Sequence, residues 1–383
     1  MSEIKVNSIK GVGASTAAIT IDNSSGACTA NITNNLSNRR LNINGAFQVM
    51  QRGTQSSVTT GKYGIDRWKF EVYNCGTWTL SQDTDVPSGK GFSKSYKIQC
   101  TTADASPAAT DYLETRYRFE GLDLQMLQWG TSDAKPLTVS FWIKCKKTGT
   151  FNLNLLANGA ANKSLGKVIT ISAADTWEYK SVTFSGDTAQ AIISDNAARL
   201  TLIFWLDAGS TYKGGTSPTS AWETLTSANR AASTTIALAD NTANYVNLCG
   251  VQIEAGSVAT EFEHKSYGQE LALAQRYYER IDHISGAAAF AGGLAGFYNA
   301  SEDIVIIHHF RVVKRATPTF EYSALSDLDF EPHDNSVSGL ALSIADTKCI
   351  VLRTTSTTAE TKGHACYLCI DQANGFIAFN AEL

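Results

Sequence analysis

Between residues 46 and 254 apolar side chains recur at every second position in one short stretch after another. That period of two constrains the fold more than any other feature of the chain. Ala46–Gln51, Arg67–Tyr73, Thr77–Ser81, Ser95–Thr101, Leu113–Phe119 and Leu137–Lys146 all read as strands. So do Phe151–Ala157, Lys167–Ile171, Glu178–Phe184, Arg199–Asp207 and Tyr245–Glu254. Phe141-Trp142-Ile143 and Ile203-Phe204-Trp205 sit in β-branched company and predict central strands with one deeply buried face. Many short strands with irregular connections predict a two-sheet jelly roll, although strand number alone does not separate it from other sandwiches. Between them, Ala208 to Asn244 is a long excursion with little strand pattern. It reads as a surface flap anchored by Trp222 or, more sharply, as an inter-subunit contact or ligand edge.

The period changes after the Ala255-Gly256 turn. Ser266 is a suitable N-cap with Gln269 three residues on, which predicts a capping box. Tyr267, Leu271, Ala274 and Tyr278 then recur at spacings of four, three and four, a helical face. Further strands follow at Asp303–Lys314, Thr319–Ser323, Ser336–Ala345, Lys348–Thr354, His364–Ile370 and Gly375–Asn380. With 383 residues the chain exceeds the roughly 250 at which one core stops growing. The expected fold is therefore mainly β. It comprises an N-terminal extended arm (1–41), a jelly-roll β-sandwich (42–264), a short linking helix (265–284) and a C-terminal β-sandwich domain (285–383). The arm is polar, with apolar anchors such as Ile4, Val6 and Ile9 too sparse to build a core from one chain. It is either a disordered tail or a segment ordered by partners, and its strand-like spacing favours the second.

Several function classes are excluded or weakened by composition and motif. A net charge of −4 argues against a nucleic-acid partner. The longest small and apolar run, Gly286 to Phe297, is far short of the roughly 20 residues of a membrane helix, so no membrane insertion is expected. Met-Ser-Glu-Ile-Lys lacks the basic start and apolar core of a signal peptide, which suits assembly in a cytoplasm. The eight cysteines are then expected as reduced structural thiols, Cys366 and Cys369 of the lone C-x-x-C included. Ser88 to Ser95 has phosphate-loop residue types but leads into a strand, so it reads as a turn. There is no GxSxG, and His308 and His309 fall on opposite faces of a strand. The acidic loop SDLDFEPHD at 326–334 lacks the glycine and spacing of a calcium loop. No catalytic residue, metal site or cofactor is expected. For sugar binding, Trp129 and Trp222 lie in more polar settings than Trp142 and Trp205, and Tyr322 and Tyr367 are the C-terminal candidates.

Three segments carry a family resemblance: Asn42 to Gly53 (NINGAFQVMQRG) followed by Ile65-Asp66-Arg67-Trp68; Val251 to Glu263 with Glu270 to Tyr278 (ELALAQRYY); and FRVVKRATPTF at 310–320. They resemble tail-fibre and tail-appendage proteins of tailed phages, particularly short-tailed phages of marine bacteria. That resemblance implies a structural, non-enzymatic virion protein, assembled in the host cytoplasm and resident in the tail. It further implies a homotrimer whose arm attaches to other tail or adaptor proteins, and C-terminal domains that adsorb to host surface glycan. Ile4, Val6, Ile9, Tyr267, Leu271, Ala274 and Tyr278 are the candidate subunit interface; the competing reading packs the helical stripe onto its own jelly roll. A tailspike-like polysaccharide depolymerase and a non-viral glycan-binding module are the alternatives.

Overall fold

The structure, a computed structural model, describes residues 6–10, 12, 18–21, 28–30, 38–283, 293–300, 303–331, 335–356 and 360–383. The alternation resolves into two antiparallel sheets. One runs in the order Glu178–Phe184, Leu137–Cys145, Tyr245–Ala255, Ser95–Thr102, Thr77–Asp83, Gln55–Val58. The other runs Glu223–Thr224, Asn162–Ile171, Gly149–Asn158, Ala198–Ala208, Tyr112–Glu120, Trp68–Tyr73, Lys62–Ile65. Alternate side chains of the longer strands enter one shared core. The ring of Phe204 sits at its centre, 5.2 Å from Phe141 of the opposite sheet and 6.1 Å from both Trp68 and Phe151. Fully burying rings of this size contributes roughly 1.5–3 kcal/mol each, which is why the sandwich needs no disulfide. Cys75, Cys100, Cys145, Cys249, Cys366 and Cys369 are buried free thiols.

Two of the expected strands differ. Ala46–Gln51 is a buried loop, because the Asn44 side chain supplies the hydrogen bonds a neighbouring strand would have made. Its Oδ1 accepts from the Val49 N–H (3.0 Å) and its Nδ2 donates to the Val49 carbonyl (2.8 Å). Asp303–Lys314 stops at His309, where the chain turns to send Lys314 into a buried site. The excursion after Ala208 folds over the outer face of the second sheet. The N–H groups of Thr235 and Ile236 both donate to the Thr150 carbonyl, and Ala231 packs with Ile203 and Trp205.

The capping box at Ser266 and Gln269 is formed, and the helix runs Tyr267–Gln275. Tyr278 does not extend it. That residue opens the strand Tyr278–Asp282, which pairs with Phe376–Asn380, and both Tyr278 and Ala274 are buried inside the same chain. The stripe thus packs on its own protomer, with Leu271 partly covered and Tyr267 exposed. The cause is Glu270, whose buried carboxylate pairs with Arg40 and accepts the Asn44 N–H at 2.7 Å, fixing that helical face inward. In the N-terminal region Ser8–Ile9, Ile19–Ile21 and Cys28–Ala30 form a three-stranded sheet with Val6 and Ile9 exposed; Ile4 lies outside the described residues. The body begins by Asn38 rather than at 42, since the N–H groups of Asn38, Arg39 and Arg40 all bond the Glu263 carboxylate at 2.6–2.8 Å.

The C-terminal unit is a closed barrel in the order Leu294–Tyr298, Asp303–His309, Cys349–Ser356, Asn335–Ala345, Leu328–Glu331, Ala365–Ile370. Beside it lies a three-stranded sheet of Tyr278–Asp282, Phe376–Asn380 and Thr319–Tyr322. The segments that carried the family resemblance converge where this unit meets the sandwich. Arg67 lies between the rings of Tyr277 (3.5 Å) and Tyr117 (5.1 Å) and bonds Glu382 at 2.5 Å. Gln51 bridges Asp66 and the Tyr278 carbonyl, and Arg276 and Tyr277 both bond Glu120. Lys314 donates to Glu279 and to the Gln275 carbonyl, both at 2.6 Å, while Arg315 reaches the Ala381 carbonyl at 2.9 Å. Arg67, Gln51, Arg276 and Tyr277 of these motifs thus fasten the two units together.

Candidate functional site

Along Leu137–Cys145 the core takes Leu137, Val139, Phe141, Ile143 and Cys145, leaving Thr138, Ser140, Trp142 and Lys144 on the outer face. Trp142 is the one large apolar side chain in that outward set. Antiparallel register places Tyr179 directly opposite it on the edge strand, with the two rings 5.3 Å apart, and Tyr179 is exposed. The Lys90 ammonium stands 5.6 Å from the centre of the Trp142 ring.

A bulge shapes the other side of this surface. Ser140 pairs with Gln252, but Trp142 pairs with Cys249, so the ladder slips between them. Gly250 occupies the slip at φ +57°, and a Cβ there would strike the Phe92 ring. Phe92 rests on that gap and meets Phe262 at 5.0 Å and His264 at 5.2 Å, while Phe262 and His264 are 4.8 Å apart. Together they wall an open groove of about 670 Å³ whose floor holds Ser140, Trp142 and Gly250 and whose rim holds Tyr179, Lys90, Thr260 and Glu261. Burial, reinforced by the nearby Arg40 charge, lowers the pKa of His264 below its ordinary 6.5. At neutral pH the ring is uncharged and can both donate and accept. Glu261 is the only carboxylate among the lining residues.

An indole beside a phenol ring offers electron-rich faces to the weakly positive C–H edges of a pyranose, and a hydroxyl, an imidazole and an ammonium can meet its hydroxyl groups. Among the described residues no group of three or more His, Cys, Asp or Glu side chains is placed to hold a metal ion. Residues 332–334 of the acidic loop lie outside those described.

The sugar candidates singled out from sequence lie elsewhere and apart. Trp129 is 4% exposed, with its Nε1 donating to the Lys135 carbonyl at 2.8 Å, so burial removes it as a platform. Trp222 stands 5.1 Å from Trp129, edge to face, and donates to the Ser185 carbonyl; it anchors the flap. Tyr322 packs against Phe320 on the three-stranded sheet, while Tyr367 is exposed on a barrel strand. Trp142, passed over from sequence because its setting is less polar, is the aromatic that the groove presents. Its signal was present: it is the outward-phase residue in a strand whose other phase is wholly apolar.

No family model matches the chain, and no curated protein matches it. Solved structures with a related fold include the enzymatically active domain of tailspike protein 4 of bacteriophage CBA120, at 13% identity and TM-score 0.29, covering 52% of this chain and 21% of that one. They also include the family 11 carbohydrate-binding module from Clostridium thermocellum in complex with a β-1,3-1,4-mixed-linked tetrasaccharide, at 10% identity and TM-score 0.28, covering 53% and 99%. At TM-scores this low neither likeness bears on what the present chain binds.

Proposed function

We propose that the protein binds glycan in the groove over Trp142, and that it does so as a phage tail fibre adsorbing to a host surface. One observation carries the first half: Trp142 and Tyr179 form an outward cross-strand aromatic pair in an open groove walled by Phe92, Phe262 and His264. The second half is supported by the resemblance of residues 42–53, 251–278 and 310–320 to tail-fibre segments, and by an N-terminal arm with exposed Val6 and Ile9. The role is binding rather than cleavage, since glycoside hydrolysis ordinarily uses two carboxylates across the scissile bond and Glu261 stands alone in the groove. Trimerisation through the arm would multiply weak single sites into firm attachment.

Calorimetric titration with oligosaccharides chosen from a glycan array tests the groove. Truncating one stacking ring removes about 1–2 kcal/mol, so Trp142→Ala should bind roughly 5- to 30-fold more weakly. Equal affinity of Trp142→Ala and wild type would refute the groove. Product masses after prolonged incubation should show intact oligosaccharide; shorter products would favour the depolymerase reading. Light-scattering mass of the full chain beside one beginning at Asn38, which keeps the Glu263 contacts, tests the fibre. A threefold mass lost on truncation is expected, and monomers in both would leave a glycan-binding module.

A further inference from the structure

A second opening lies where the sandwich meets the three-stranded sheet, and its chemistry is different. Arg52, Lys62 and Lys69 come from the sandwich side and Arg280 from the C-terminal side, against one carboxylate, Glu321. Four cations around one cleft of about 430 Å³ stand out in a chain whose net charge is −4. Internal ion pairs use only part of that charge. Lys69 is held by Glu71 at 2.7 Å, Arg280 by Asp282 at 2.5 Å, and Arg52 by Glu382 at 3.4 Å and Asp66 at 4.0 Å. Lys62 has no ion pair among the described residues, and the buried Nη2 of Arg52 finds no hydrogen-bond acceptor.

The two guanidinium groups are held in place by rings. Arg52 lies 3.4 Å over Tyr278, and Arg280 lies 4.1 Å over Phe376. Tyr63, the third ring of the cleft, has Arg52 at 5.1 Å and Lys69 at 5.9 Å, so each ring in the lining already faces a cation. What remains is a set of pre-oriented planar forks and a mobile ammonium, which match carboxylate or sulfate oxygens. A lone inorganic anion would leave most of the cleft as water, whereas an acidic sugar unit would fill it.

We propose that this cleft binds an anionic saccharide, bearing carboxylate or sulfate groups, through Arg52, Lys62 and Arg280. It takes from the preceding reading only the class of molecule, and it does not depend on the Trp142 groove. Occupancy would also tie the sandwich to the C-terminal sheet, since Arg52 and Arg280 belong to different units.

The test is titration of the full chain carrying Trp142→Ala, which silences the groove, with oligogalacturonate, a sulfated galactan oligosaccharide and the neutral galactan of equal length. At least one acidic oligosaccharide should bind and the neutral one should not. Raising salt from about 50 to about 300 mM should weaken the binding several-fold, because the Debye length shortens. Lys62 is exposed and unpaired, so Lys62→Glu should fold normally; it should bind the acidic ligand about tenfold more weakly, and Lys62→Gln about threefold. Absence of acidic binding in the Trp142→Ala protein, equal binding of the neutral ligand, or an unchanged affinity in Lys62→Glu would each overturn the proposal. Failure of neutral glycans to bind the wild-type protein would instead count against the groove alone.

Discussion

Replacing Lys314 by Met isolates the charge that pins the 310–315 segment to the end of the linking helix and to the strand Tyr278–Asp282, because Met keeps the buried stem and removes only the ammonium. Neither Lys314 nor Glu279 has exposed side-chain surface, and their oxygen–nitrogen separation is 2.6 Å. Breaking one side of a buried pair typically costs about 3–5 kcal/mol, because the survivor is left uncompensated, whereas removing both often costs little. Here Glu279 Oε1 also has His308 at 3.6 Å and Arg311 at 3.9 Å, the latter exposed. They retain part of the compensation, so Lys314→Met should cost about 3 kcal/mol, the lower end of that range. Glu279→Leu leaves the ammonium the Gln275 carbonyl and the Phe310 ring at 4.8 Å, and should cost about 4 kcal/mol. The double variant should cost at least ~2 kcal/mol less than the sum.

Urea unfolding at pH 7 measures this, with two probes that separate the units. All seven tryptophans lie at or before Trp222, so their fluorescence follows the sandwich, while far-ultraviolet circular dichroism follows both units. Coincident transitions in the wild type should separate in Lys314→Met, with the dichroism change preceding the fluorescence change. Single variants costing less than about 1 kcal/mol, or a double equal to their sum, would refute the reasoning.

Glu279 also gives a pH signature. Burial raises its pKa, but the nearby His308 and the hydrogen bond and charge of Lys314 outweigh that and hold it below the ordinary 4.5. The stability it adds over Glu279→Gln is therefore full above about 4.5 and lost as pH falls through the lower folded value; urea midpoints of both proteins between pH 7 and 3 should converge. Gly250→Ala should lose about 1–2 kcal/mol from the positive φ and also weaken glycan binding, since Phe92 must move; unchanged titration curves would refute that link. Ser266→Ala removes the cap of the Tyr267–Gln275 helix and should cost about 1 kcal/mol in thermal or urea unfolding, with groove affinity unchanged.

The strands were legible where one face is buried, because alternation reports that face directly; Leu137–Cys145 and Tyr245–Ala255 match their expected spans almost residue for residue. Local chemistry was legible too, as in the Ser266 and Gln269 box. Errors arose where a side-chain contact replaced the expected strand pairing. Asn44 turned Ala46–Gln51 into a loop, and Lys314 drew its segment out of the barrel strand towards Glu279. Tyr278 keeps helical spacing with Ala274 yet pairs with Asn380, a partner that periodicity cannot see. In each case a contact that alternation and helical spacing do not report overrode the pattern.

The groove was hidden for a related reason. Composition around a tryptophan says how polar its neighbours are, but phase along the strand says which way it points, and for Trp142 the two disagree. Phase alone would have set it outward with Ser140 and Lys144. Even so, a single outward indole is a weak signal until register puts Tyr179 across from it and the slip at Gly250 lets Phe92 settle beside Phe262 and His264. Those residues come from four separate stretches of chain, and only strand order brings them together. The buried charges show the converse: Arg67 bonds Glu382 across the two units, Glu270 ties the helix to Arg40 and Asn44, Lys314 ties its segment to Gln275 and Glu279, and none of the three lines the Trp142 groove. On the proposed reading recognition draws on both kinds of residue: strand phase exposes Trp142 and Tyr179, while Phe262 comes from the 251–263 segment and Arg52 from the 42–53 segment that stand out in the sequence.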